Sequence, residues 1–151
     1  MKVKTKNNNI TSKELGIDLK SGKEEELFKW FLACLLFGKP IQQAVAKRAY
    51  FEFIKEKILS PEKILATGWN KLVKILDKGH YVRYDFSTAT KLLVVFKELK
   101  TRYESIGEIL RRARNLSDLG ARLQEFSGVG PVTARIFLSG FSESRLRQLR
   151  Q

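Results

Sequence analysis

Cysteine and histidine are almost missing from this chain: Cys34 and His80 are the only residues of their kinds among 151. A tetrahedral zinc site or an iron–sulfur cluster needs several such ligands, so these side chains imply no metal and no metal cofactor. Long apolar runs are missing too. The stretch Leu27 to Phe37 is interrupted by Lys29 and is too short to span a bilayer, and nothing at the N-terminus reads as a signal peptide. The expectation is a soluble, cytoplasmic protein with no membrane partner. No alternating apolar and polar run is long enough to require a sheet, and only Leu92 to Phe96 is ambiguous taken alone. A fixed-period repeat is absent, which excludes a solenoid. Acidic charge is scarce: 16 Asp and Glu stand against 29 Lys and Arg, a net charge of +13. That imbalance predicts a polyanionic partner, of which nucleic acid is the commonest, against the plainer reading of a solvated basic surface.

What the chain does contain is enough apolar material for one core. Hydrophobic residues make up 43%, with ten Phe and two Trp, so the chain can bury the surface a single domain needs. Residues 1–22 are rich in Lys, Asn and Ser and read as a basic, weakly ordered arm, followed by one domain over 23–151. From Glu24 the pattern turns helical. Leu27, Trp30, Phe31, Cys34 and Leu35 share one stripe, and Gly38-Lys39-Pro40 ends the element. Further helices are expected over Ile41 to Leu59, after Ser60-Pro61 up to Gly68, and over Trp69 to Lys78. Others follow over Thr88 to Tyr103 with Ser87 as cap, and over Ile106 to Ala113, Leu119 to Phe126 and Pro131 to Leu138. Ser142-Glu143 opens a last basic helix. The fold class is all-α, about seven to nine helices.

Leu123 to Leu138 reads as two helices joined by Gly128-Val129-Gly130. Glycines there can take positive φ and leave no Cβ in a ligand's way. Pro131 suits the first helical position, so the amides of Gly130, Val132 and Thr133 would point out of a helix start carrying partial positive charge. Such a turn is either a tight connection or an anion site. Pro131, the small Thr133-Ala134 pair and the surrounding arginines favour a phosphate.

Ser127-Gly128-Val129-Gly130-Pro131-Val132-Thr133-Ala134 resembles the helix-hairpin-helix of the endonuclease III superfamily of DNA glycosylases. Leu27-Phe28-x-x-Phe31-Leu32-Ala33-x-Leu35-Leu36 is similar to that family's first barrel helix. Gly79-x-Tyr81 with Ser87-x-Ala89 is similar to its loop and helix before the hairpin, with extra residues between. The resemblance covers about residues 24–140 and implies a single helical barrel with a C-terminal helix-hairpin-helix, binding duplex DNA in base-excision repair. It makes Gly128, Val129, Gly130, Val132, Thr133 and Arg135 the DNA-binding set of the hairpin. It also implies a nucleotide flipped from the duplex and an acid that assists base loss. In bifunctional members a lysine forms a Schiff base with the sugar, and Val132 stands at that position here. The family's catalytic Asp would fall within Ser142 to Gln151, where Glu143 is the only carboxylate and reads equally as a charge opposing the helix dipole.

The resemblance further implies a wedge from the loop Gly79 to Phe86, with Tyr81, Val82 or Tyr84 filling the gap left by a flipped base and Arg83 on a phosphate. Phe86 reads better as a lid on the core. Asp85 is either a stray carboxylate near a bound base or a helix cap. Gln42 or Gln43 is placed for base edges, and Arg111-Arg112-x-Arg114 with Arg145-x-Arg147-x-x-Arg150 for a phosphate track. Three functional readings stand at this point: a DNA-binding domain, a working monofunctional glycosylase using Asp85 or Glu143, and an interaction domain or subunit whose protein partner supplies the acid. The chain by itself is expected to be a monomer. No cofactor is expected. In a prokaryote the place would be the nucleoid, and hairpin amides alone do not separate DNA from RNA.

Overall fold

Glu24, Glu25 and Glu26 open the first turn of α1 (Glu24–Phe37), where their charge opposes the positive end of the helix dipole. Behind them every residue from Leu27 to Phe37 except Lys29 is buried. A helix apolar on all sides lies inside a ring of others, so the single stripe expected from the sequence is too narrow and α1 is the central helix. The computed structural model describes residues 10–150.

Around α1 the chain forms α2 (Gln43–Lys55), α3 (Pro61–Thr67), α4 (Trp69–Lys78) and α5 (Asp85–Arg102), then α6 (Ile106–Arg112), α7 (Leu116–Gln124), α8 (Pro131–Leu138) and α9 (Glu143–Leu149). The described residues contain nine α-helices and no strand, and the protein is all-α. Four helices start at side-chain caps. Ser60, Ser105, Asn115 and Ser142 accept from the amides of Lys63, Glu108, Asp118 and Arg145. Among the described residues, no helix is long and apolar enough to cross a membrane.

Helix α1 packs against α2, α6 and α8, while α5 packs against α3 and α4 and α7 lies on α8. Phe31 joins these layers. Its ring lies 5.7 Å from Phe96 of α5, 6.3 Å from Phe126 before the hairpin and 5.7 Å from Phe137 of α8. The hairpin is thus seated on the centre of the core. Trp30 adds a buried hydrogen bond, its Nε1 donating to the Phe137 carbonyl at 3.0 Å.

Glu24 reaches across to the start of α6, where its carboxylate accepts from the amides of Ile106 at 2.7 Å and Gly107 at 2.9 Å. Both amides belong to the unsatisfied first turn of a helix. Glu24→Ala is expected to cost about 1–2 kcal/mol in a urea melt, as two amides lose a charged acceptor. An unchanged midpoint would show that Ser105 caps α6 unaided.

Two expectations are corrected here. Residues 10–22, expected to belong to a weakly ordered arm, form two short 3-10 turns, Lys13–Leu15 and Leu19–Ser21. Their side chains Ile10, Leu15, Ile17 and Leu19 are buried in the core. Gly16 and Gly22, both at positive φ, let the chain turn between those anchors. The rest of the expected arm, residues 1–9, lies outside the described residues, as does residue 151. The second correction concerns α5, which starts at Asp85 and not after Ser87. Ser87 lies within its first turn and donates its hydroxyl to the Tyr84 carbonyl at 3.3 Å.

Candidate nucleic-acid interface

The turn between α7 and α8 is closed by one backbone bond, Val129 N–H to the Phe126 carbonyl at 3.1 Å. Gly128 sits at φ +91, a conformation that a side chain strains. Gly130 differs: its φ is −102, extended backbone open to any residue, and a Cβ built on it would meet nothing within 4 Å. As the N-cap of α8 it offers no side-chain oxygen to the helix, and Pro131 follows at the first helical position. Among the described residues the amides of Gly130, Val132 and Thr133 have no acceptor. Three donors are therefore left free at the positive end of a helix dipole.

Three segments distant in sequence meet around this turn. Thr133 is buried and packs directly on Gly38 at the end of α1; a Cβ on Gly38 would fall 2.1 Å from the Thr133 Oγ1. From α5, Lys91 runs its aliphatic chain along Gly128, the nearest carbon 3.0 Å from that glycine's Cβ position. Glu98, two turns further along α5, accepts from the Ser127 amide at 2.9 Å and its hydroxyl at 3.2 Å. Lys39 completes the group, donating to Ser87 Oγ at 3.3 Å and lying 5.2 Å over the Tyr84 ring. Arg83 covers the same ring at 5.4 Å. The result is a hairpin held by its neighbours, with Lys91 along Gly128, Lys39 near Lys91, and Arg83 on the Tyr84 ring that Lys39 also covers.

The other site residues fall into two groups. Val132, Arg135 and Gln42 are exposed, with Val132 39% accessible on the first turn of α8. Val129 is buried, so of the hairpin set it acts through packing and not by touching a ligand. Tyr81 cannot be the wedge. It is fully buried, with its hydroxyl donating to the Leu36 carbonyl at 2.6 Å, and burial raises its pKa further. Tyr84 is half-buried, with two cations over its ring. The exposed apolar groups of this loop are Val82, 59% accessible, and Phe86, 61%. Phe86 was expected to cover the core; instead its ring packs, tilted by 50°, against Trp69 at 5.1 Å on the surface.

Both carboxylate candidates are engaged elsewhere. Both oxygens of Glu143 accept from the Leu116 amide at 3.2 Å, which caps the start of α7 about 12 Å of helix away from the hairpin. Asp85 accepts from the Phe86 amide at 2.7 Å at the start of α5. It also stands beside Asp77 at the end of α4, whose pKa is raised by the hydrogen bond that pair forms and by burial. The Arg111-Arg112-x-Arg114 cluster is likewise occupied: Glu108 takes Arg111 at 2.7 Å and Arg112 at 3.0 Å, and Asp118 takes Arg122 and Arg114.

Lys39, Lys91 and Glu98 are the residues that sequence reasoning missed. On the pattern alone each is one more charge on or beside an amphipathic helix, and only the fold shows that Lys91 lies along Gly128, that Glu98 holds Ser127 and that Lys39 stands near Lys91. Comparison with models of protein families, with curated proteins and with solved structures returns no match.

Proposed function

We propose that this chain is a helical, glycosylase-like domain of the helix-hairpin-helix kind that holds duplex DNA in base-excision repair. The observation that carries the reading is the start of α8. Among the described residues the amides of Gly130, Val132 and Thr133 have no acceptor there, and Gly130 leaves open space beside them. A phosphate oxygen is the acceptor that matches helix-start amides in a basic protein. Lys39, Arg83 and exposed Arg135 would take neighbouring phosphates, while Val82 and Phe86 supply the apolar groups suited to entering a base step. Tyr84, its ring covered by Lys39 and Arg83, orients the loop that carries them.

Gly130→Leu tests this. The open space at its Cβ predicts an unchanged helix content and melting temperature, while affinity for a short duplex falls by about tenfold or more as amide contacts are blocked. A folded variant that binds as the parent does would remove the hairpin from the interface.

A further inference from the structure

Two rows of side chains run along the solvent side of α5. Residues three or four apart on a helix lie above one another, so Phe86, Thr90 and Val94 form one row, while Ser87 and Lys91 lead towards Glu98 in the row beside it. The second row is the hairpin's. Lys39 donates to Ser87, Lys91 lies along Gly128 and Glu98 holds Ser127. The first row is exposed throughout, and its Phe86 and Val94 are apolar.

Trp69, at the start of α4, extends that exposed row. Its indole Nε1 donates to Thr90 Oγ1 at 3.0 Å, and its ring packs against Phe86. The bond fixes the indole and uses its one polar atom, so what Trp69 and Phe86 offer to a ligand is aromatic surface. Exposed rings beside cations suit unpaired nucleotides, whose bases stack on the rings while their phosphates lie on lysine and arginine. The cations here are Lys39, Arg83 and Lys91, and among the described residues neither Arg83 nor Lys91 has a carboxylate partner. The two carboxylates of α5 are engaged, Asp85 by the Phe86 amide and Glu98 by the Ser127 amide. From Phe86 to Lys91 the helix rises about 7.5 Å, about two base steps.

We propose that this face of α5, with Trp69, takes an unpaired stretch of strand that adjoins the duplex held at the hairpin. The proposal rests on the duplex reading above and narrows its ligand to DNA whose double strand ends in a single-stranded tail. In a continuous duplex Phe86 must open a base step before a base can reach it, and unstacking opposes that. In a tail the base is already free. The strand leaves the hairpin along Lys91, with its phosphates on the side of Lys39 and Lys91 and its bases over Trp69 and Phe86.

Fluorescence anisotropy at one salt concentration compares the full chain on a blunt duplex, on the same duplex with a short single-stranded tail, and on one whose tail keeps sugar and phosphate without bases. Tails are made in both polarities. The base-bearing tail of one polarity is expected to tighten binding about tenfold over the blunt duplex, and the baseless tail by far less, because stacking requires a base. It should also quench the fluorescence of Trp69, since the other tryptophan, Trp30, is fully buried. Trp69→Leu is expected to lose both the preference and the quench, while Trp69→Phe, which keeps a ring, retains most of the preference. Circular dichroism establishes that both variants are folded, and the parent's response to the two kinds of tail decides the matter where Trp69→Leu does not fold. Three results overturn the proposal and leave the duplex reading standing: equal affinity for blunt and base-bearing probes in both polarities, an equal gain from the baseless tail, or a preference that survives in folded Trp69→Leu. The first of them leaves the aromatic pair to a protein partner. Failure to bind any of the probes removes the proposal and the duplex reading together.

Discussion

Gly79→Ala is expected to lower the melting temperature by about 10 °C, corresponding to about 3 kcal/mol, the largest loss from a single added methyl in this fold. The reason is the approach of two helices. A Cβ on Gly79 would lie 2.6 Å from both the Cα and the N of Ala49, and 3.0 Å from the Arg48 carbonyl carbon. These are backbone atoms in the middle of α2, which cannot swing aside as a side chain can. Arg48 Nε donating to the Gly79 carbonyl at 3.4 Å holds the two segments at that spacing. The φ of Gly79 is −89, so alanine meets no backbone strain and the whole loss comes from the contact.

Gly38→Ala supplies the contrast. Its Cβ would collide with the Thr133 hydroxyl at 2.1 Å, a side-chain atom, with the Cys34 carbonyl oxygen at 3.1 Å and the Thr133 Cβ at 3.3 Å as lesser contacts. Adding Thr133→Ala is therefore expected to restore most of the stability lost in Gly38→Ala, whereas trimming side chains around Gly79 restores nothing. The check is a double-mutant cycle by thermal melting. Equal loss in Gly38→Ala with and without Thr133→Ala would place the cost in the chain turn itself.

These two glycines also mark what the sequence could and could not disclose. Helix starts and stops were legible where local chemistry decides them: α4 and α8 begin and end where expected, and the serine caps of α3 and α9 hold. Local chemistry misled at α5. Asp85 and Ser87 are both cap-type residues, and the helix took the earlier start. Ile10, Leu15, Ile17 and Leu19 were hidden for another reason. Spread among lysines and glycines with no helical or strand period, they follow no pattern a scan recognises, yet all four are buried. The hairpin was visible because Gly-x-Gly-Pro is a local signal. Its surroundings were not, since which side of α5 Lys91 occupies and whether Tyr81 points in or out depend on contacts between segments far apart in the chain. The same distinction separates the basic clusters: Arg111 and Arg112 look free in sequence and are held by Glu108 in the fold.

Duplex affinity is expected to fall about 100- to 1000-fold between 50 and 200 mM salt, as about five phosphate contacts release counterions with a slope near −0.9 each. A net charge of +13 would give some salt dependence to any bound polyanion, so the slope alone does not locate the contacts. The variants do. Replacing Lys39, Arg83 and Arg135 together by alanine should flatten the logarithmic slope by about 3, because the cations over Tyr84 and on the exposed side of α8 each face a phosphate if the hairpin is the anchor. Replacing Arg111 and Arg112 should change the slope by much less, since both guanidiniums are engaged by Glu108, whose single charge offsets one of the two. Titration of a fluorescent duplex at several salt concentrations distinguishes the two. If the arginine pair of α6 changes the slope and the triple variant does not, the phosphate track runs over α6 and the hairpin amides face solvent. If neither does, the +13 acts as a diffuse field and no defined track exists. An A-form RNA duplex run beside the DNA adds the remaining comparison. Phosphates alone would bind both, whereas apolar Val82 and Phe86 need a base step that opens, so preference for DNA should shrink when those two are replaced by alanine.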